Sequence, residues 1–276
     1  MQIIKLIGID LDGTALDSQK RISEKNREAF KKCEESGICV VPVTGRPFSG
    51  LYDEYIDAMR CSYSVNTNGA AAYSLPKGEK LISHMMTRER AAEIAEILNE
   101  YDCFYAVFID GYGYLEEKYL DRELNDWRGT PLYKYLLRTR RVTQSIRGLI
   151  EASEGCDNIY VSAATTEIRE KIRDAIGGVK DIYFTSSDAR DVEIGGDCSK
   201  GTTLLELAGR LGIDKSEVMA IGDSGNDLDM LRKAGYSVAM GNASQKLLDE
   251  ADYVTDTCEN NGVAKAIEKL LNGELL

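Results

Sequence analysis

Apolar positions along the chain fall into two alternating kinds of run. Short, nearly unbroken apolar stretches such as "IIKLIGID" (3–10), "ICVVPV" (38–43) and "EVMAIGD" (217–223) read as strands covered on both faces. Between them, apolar residues recur at helical spacing. A helix capped by Ser23 runs to about Ser36, with Gly37 suited to its end. Pro47 fits the first turn of another helix. "YSVNTNGAAAYS" (63–74) reads as a strand followed by a Gly-centred turn. After "SKG" a helix extends to about Leu211, and "NDLDMLRKAG" (226–235) is a helix closed by Gly235. "YSVAM", "SQKLLDEA", "DYVTD" and "GVAKAIEKLL" continue the alternation to the end. Strands alternating with helices predict a mostly parallel sheet with helices on both faces.

The middle of the chain breaks this rhythm. Residues 83–189 are richer in Tyr and charge, with helical spacing in "TRERAAEIAEILNEYD", "SIRGLIEAS" and "TEIREKIRDAIGG" and strands in "CFYAVFID", "NIYVSAA" and "DIYFTSS". "DGYGY" (110–114) reads as a structural hairpin, and 121–141 as short helix mixed with loop. The expected organisation is an α/β core made of 1–82 and 190–276, split by an inserted, smaller α+β domain over 83–189.

Composition narrows the function. Lys plus Arg number 34 against 46 Asp plus Glu, a formal charge of -12, which disfavours nucleic acid and anionic membranes as partners. An anionic substrate needs a bound cation or a local basic group to reverse that field. Seven cysteines without a CxxC, and a single histidine, His84, argue against a zinc site and against Ser-His or Cys-His nucleophilic chemistry. The thiols read as small core residues. No segment reads as a signal peptide or a membrane span, so a cytoplasmic protein is expected. Oligomeric state leaves no trace in the pattern.

Four polar clusters interrupt the apolar pattern at strand ends or strand–helix junctions, where open α/β sheets bind ligands. In "DLDGT", Asp10 and Asp12 face one small volume if the strand stays extended, and paired carboxylates call for a cation or a shared proton. In "VTGR", Thr44 offers a hydroxyl and Gly45 an accessible amide. In "SKG", Lys200 precedes a helix start, a good position for a phosphate. In "IGDSGND", Asp223 ends a strand, with Asn226 and Asp227 in the turn that follows. Such an oxygen set suits Mg2+.

"DLDGT", "TGR", "SKG" and "GDSGND" resemble the four motifs of the haloacid dehalogenase (HAD) superfamily. The "NTNGA" stretch and the tail "SVAMGNASQKLLDEADYVTD" with "NNGVAKAIEKLL" are similar to its Cof-type phosphatases, which carry a large cap of the IIB kind. The resemblance implies a Rossmann-like parallel-sheet core with an inserted α+β cap. It also implies that Asp10 is the nucleophile that forms an aspartyl-phosphate and that Asp12 is the acid and then the base. Thr44, Gly45, Lys200 and Asn226 would hold the phosphoryl group. Asp10, the Asp12 carbonyl and Asp223 would bind Mg2+, and Asp227 would support the metal or Lys200. "GGDCSKG" departs from the more apolar, Pro- or Val-containing approach of many relatives, and Cys198 reads as packed.

The expected activity is therefore Mg2+-dependent hydrolysis of small phosphorylated metabolites, sugar phosphates first, then nucleotide-like or cofactor phosphates. A phosphoglycolate phosphatase or sugar phosphomutase of the same fold is the alternative enzyme. A non-catalytic phosphometabolite-binding protein is the alternative of another class, disfavoured because Asp10 and Asp12 are both present.

Overall fold

The strand Leu6–Ile9 lies one place in from the edge of a sheet whose other members come from both ends of the chain. A computed structural model describes residues 3–120, 128–186 and 190–275. Its first five-stranded sheet has the order Tyr253–Val254, Tyr236–Ala239, Val218–Gly222, Leu6–Ile9, Cys39–Pro42, every pair parallel. Alternate residues of Leu6–Ile9 serve opposite faces. Ile7 and Ile9 pack with Phe30 and Cys33 of helix Glu24–Glu35 and with Val263 and Ile267 of helix Gly262–Leu271. Leu6 packs on the other face with Leu204 and Leu207 of helix Lys200–Arg210. Gly8 shares that face, and a Cβ there would lie 2.4 Å from Leu204 Cδ2, so the missing side chain lets the helix settle onto the strand.

The chain divides into two compact units. The first holds Met1–Gly45, Leu51–Ile82 and Ser199–Leu276 and contains this parallel sheet. The second holds Arg46–Gly50 and Ser83–Cys198. Its six-stranded sheet has the order Ile182–Thr185, Asp191–Gly196, Asn158–Ala163, Cys103–Ile109, Tyr112–Glu116, Arg140–Thr143. Pairing is antiparallel except at the last pair, which is parallel. Tyr105, Val107, Ile159, Val161 and Ile194 build an apolar face covered by helices Arg88–Leu98, Ile146–Ala152 and Thr166–Ile176.

Three local readings of the sequence differ from the structure. The return to the first unit was expected at 190, yet strand Asp191–Gly196 pairs with Asn158–Ala163 and Ile182–Thr185, so the change of unit falls at Ser199. Its run "DVEI" buries Val192 and Ile194 in the second unit's core and looks, in sequence, like any covered strand. Pro47 does not open a full helix: a single turn, Phe48–Gly50, follows it, and the helix begins at Asp53. In the tract 121–141, residues 121–127 lie outside the described residues, Pro131–Thr139 is helix, and strand Arg140–Thr143 edges the sheet. The "DGYGY" segment turns between Cys103–Ile109 and Tyr112–Glu116 with Asp110 at φ 49° and Gly111 at φ 75°, the paired positive angles of a two-residue hairpin.

The cysteines form no disulfide. Burial pushes the thiols of Cys33, Cys61, Cys156 and Cys198 up to about 12, which leaves them as inert packing groups. Among the described residues no helix is long and apolar enough to cross a membrane.

Candidate active site

Strand Leu6–Ile9 has a strand from late in the chain on one side and one from early in the chain on the other, so the strand order reverses there. Loops leaving the carboxyl ends of such neighbours converge on one volume. Asp10 follows Leu6–Ile9, Asp223 follows Val218–Gly222, and Thr44 lies just past Cys39–Pro42.

Lys200 reaches the same volume from a helix. Ser199 caps helix Lys200–Arg210 by accepting from the Thr202 amide at 3.1 Å, and it is itself held by the Asp229 carboxylate. With the helix start so fixed, the fully buried Lys200 side chain donates from Nζ to Asp10 Oδ1 at 2.6 Å and to Asp227 Oδ1 at 2.7 Å. Asp227 uses its other oxygen to close its own turn, accepting the amides of Asp223 and Ser224 at 3.0 Å each. The "IGD" glycine is required here: a Cβ at Gly222 would fall 2.5 Å from the Asp227 Cβ.

One carboxylate oxygen each from Asp10, Asp223 and Asp227 lies within 4.8 Å of the others. Three carboxylates share one ammonium, so full ionisation leaves two uncompensated negative charges in a buried site. The proton affinities respond accordingly. Burial raises Asp10 well above the ordinary carboxylate range, against the pull of Lys200 and with Asp227 and Asp223 adding to the rise. Burial and Asp227 push Asp223 up to about 6. Burial alone would lower Lys200, but the Asp10 and Asp227 carboxylates outweigh it and hold the ammonium charged.

Gly13 and Thr14 have roles that the sequence reading did not assign. Gly13 has φ 87°, and a Cβ there would sit 2.5 Å from Asp223 Oδ2, so both backbone and space exclude a side chain. Thr14 donates its hydroxyl to Asp223 Oδ1 at 2.8 Å. Asn242, in the "GNAS" turn, donates to the Gly13 carbonyl at 2.9 Å. "NTNGA" also belongs to the site. Asn68, at φ 54°, accepts from Asn226 Nδ2 at 3.1 Å, and a Cβ at Gly45 would approach Asn68 Oδ1 to 3.1 Å. Thr44, almost wholly buried, is fixed by a 2.9 Å bond from its amide to the Val65 carbonyl. The motif residues Asp10, Thr44, Gly45, Lys200, Asp223, Asn226 and Asp227 thus lie in loops and first helical turns at this one end of the parallel sheet.

Asp12 lies just past the strand end, in a β-bridge with Leu16, and its charge reaches Asp223. The Asp12 side chain, 37% exposed, pairs with Lys20 at 2.7 Å. Its carboxylate stands outside the buried trio.

The donor set is all oxygen, carries excess negative charge and is held by fixed turns. That chemistry fits a hard divalent cation such as Mg2+ better than a softer metal.

Comparison with known proteins agrees with the motif pattern. The profile of the haloacid dehalogenase-like hydrolases matches residues 7–267. The phosphatase YwpJ of Bacillus subtilis is 31% identical over 97% of this chain and 100% of its own.

The chain belongs to the haloacid dehalogenase-like hydrolases.

It is a phosphatase of the Cof type, with a Rossmann-like core and an inserted cap. A second Bacillus subtilis relative, the 5-amino-6-(5-phospho-D-ribitylamino)uracil phosphatase YwtE, is 30% identical over 98% of this chain and 99% of its own. A solved haloacid dehalogenase-like hydrolase from the same organism superposes with a TM-score of 0.84 at 30% identity, covering 96% of this chain and 99% of the other.

Proposed function

We propose that this phosphatase hydrolyses phosphate esters of small sugars and polyols, with Mg2+, through an aspartyl-phosphate on Asp10. The observation that carries the reading is the buried Lys200 ammonium bridging Asp10 and Asp227 beside Asp223. Such a site holds a carboxylate nucleophile in place while leaving an unbalanced negative charge for a cation. The preference for a polyol ester draws on the relative YwtE, a 5-amino-6-(5-phospho-D-ribitylamino)uracil phosphatase.

An Asp10 oxygen forms a bond to phosphorus as the bond to the leaving oxygen breaks. Asp12 gives its proton to that oxygen. Water then attacks phosphorus, Asp12 takes a proton from it, and Asp10 is released with inorganic phosphate. Thr44, the Gly45 amide, Asn226 and Lys200 hold the phosphoryl oxygens. Asp227 anchors Lys200 so that its charge stays directed at Asp10. Asp10, Asp223 and the Asp12 carbonyl would hold Mg2+, which supplies the positive charge that lets an anionic ester approach an anionic nucleophile.

The test is phosphate release from a panel of phosphorylated metabolites, with Mg2+ and with chelator, using Asp10→Asn as control. Free phosphate from a single substrate, lost on chelation and in the variant, is expected. Activity that survives either change contradicts the reading. Isomerised sugar phosphate without free phosphate would make the protein a mutase instead.

A further inference from the structure

The segment that leaves the site after Thr14 brings a lysine back to it. Lys20 Nζ donates to Asp12 Oδ1 at 2.7 Å, with the two side chains 33% and 37% exposed. A pair that wet adds little to stability. The backbone beneath it is nevertheless tightly built. Lys20 has φ 60°, the left-handed region that favours glycine and that a long side chain rarely takes. Its amide donates to the Asp17 carbonyl at 2.9 Å. Its carbonyl accepts from the Tyr55 hydroxyl at 2.9 Å, and that ring is buried in the apolar cluster beneath the sheet. Asp17 steadies the same turn by accepting the amides of Gln19 and Arg21, both at 2.9 Å. Ile22, just beyond, is buried in that apolar cluster.

A glycine would relieve the backbone, yet the position carries a cation whose ammonium meets the carboxyl group assigned to proton transfer. Strain that survives because its surroundings enforce it, at a site where the stability gain is small, points to a functional reason. We propose that Lys20 is a positioning residue for Asp12: it holds the carboxyl group in the orientation that delivers a proton to the leaving oxygen. With Oδ1 accepting from Lys20, the delivered proton is carried on Oδ2. Lys20 itself neither gains nor loses a proton in the step. The inference rests on the reading of Asp12 as the acid.

Leaving-group chemistry tests it. p-Nitrophenyl phosphate releases a weakly basic phenolate that needs little protonation, whereas glycerol 2-phosphate releases an alkoxide that must be protonated. Lys20→Met is expected to lower kcat/KM on glycerol 2-phosphate by about tenfold or more, part of the ~100- to 10,000-fold that a positioned acid supplies. The loss on p-nitrophenyl phosphate should be clearly smaller. Lys20→Arg should recover much of the loss. Tyr55→Phe, which keeps the lysine but frees its carbonyl, should reproduce the same selectivity more weakly. An equal fall in kcat/KM on both esters, or no change, would overturn the proposal. Asp12→Asn measured alongside separates the two layers. If Asp12→Asn lowers kcat/KM, which covers only the steps up to release of the leaving group, on both esters alike, the acid assignment fails and the Lys20 inference with it. If Asp12→Asn is selective and Lys20→Met is not, only the Lys20 inference fails.

Discussion

Asp10 and Asp12 are two residues apart in one motif, yet they occupy opposite environments. Asp10 is 4% exposed, bonded to a buried ammonium and crowded by two further carboxylates. Asp12 is half-open to water and bonded to a lysine on a surface turn. A buried carboxylate that is electrostatically held suits covalent attack, where position and charge decide the barrier. A group that exchanges protons with a leaving oxygen and with water needs access to solvent. The difference lies in the partner each meets, a buried ammonium for Asp10 and a partly exposed one for Asp12.

The contrast breaks most visibly at Asp10. Asp10→Asn should lower kcat by at least about a thousandfold, as losses of a covalent nucleophile do, while the thermal midpoint of the metal-free protein holds or rises. Measured turnover with a melting curve on the same sample checks both halves. Lys200→Met should lose comparable activity and also stability, because Asp10 and Asp227 would remain buried without a counter-charge. Breaking a buried pair costs about 3–5 kcal/mol, readable as a shift in denaturant midpoint.

Asp12→Asn should show the reverse balance. Activity on an alkyl phosphate falls by roughly 100- to 10,000-fold, while stability moves by less than about 1 kcal/mol, the scale of an exposed ion pair. A large loss of stability in this variant would erase the distinction between the two acids. Gly13→Ala sits between them: the positive φ and the contact with Asp223 predict about 1–2 kcal/mol of destabilisation. Mg2+ binding, followed by calorimetry, should also weaken.

The smallest effect is in pH. Asp223 titrates at about 6 when folded against an ordinary value of 3.8, so the folded metal-free protein retains a proton that the unfolded chain has already released. Its contribution is complete below 3.8 and disappears as pH rises through about 6. The metal-free melting temperature should therefore fall by a few degrees across that window. Added Mg2+ should raise it more at neutral pH than in acid, since the carboxylates must be ionised to bind.

Much of this site was legible from residue types at strand ends. Asp10, Thr44, Lys200 and Asp223 follow or precede elements whose apolar patterning is unambiguous, and parallel topology then forces their loops together. What stayed hidden depends on backbone detail. Nothing in "SQKRIS" distinguishes Lys20 from any surface lysine, because its left-handed φ and the bond from Tyr55, 35 residues on, leave no mark on the local pattern. Asn68 is similar, since its contact with Asn226 spans 158 residues. Strand Asp191–Gly196 was placed in the wrong unit because an alternating buried strand has one pattern whichever sheet accepts it.

The most direct measurement is chemical trapping of the nucleophile. Enzyme quenched during turnover and reduced with borohydride should convert the phosphorylated aspartate to homoserine, located by peptide mass spectrometry. Homoserine at position 10, dependent on substrate and absent from Asp10→Asn, is the predicted result. Homoserine at position 12, or none at all under conditions of steady turnover, would contradict the account.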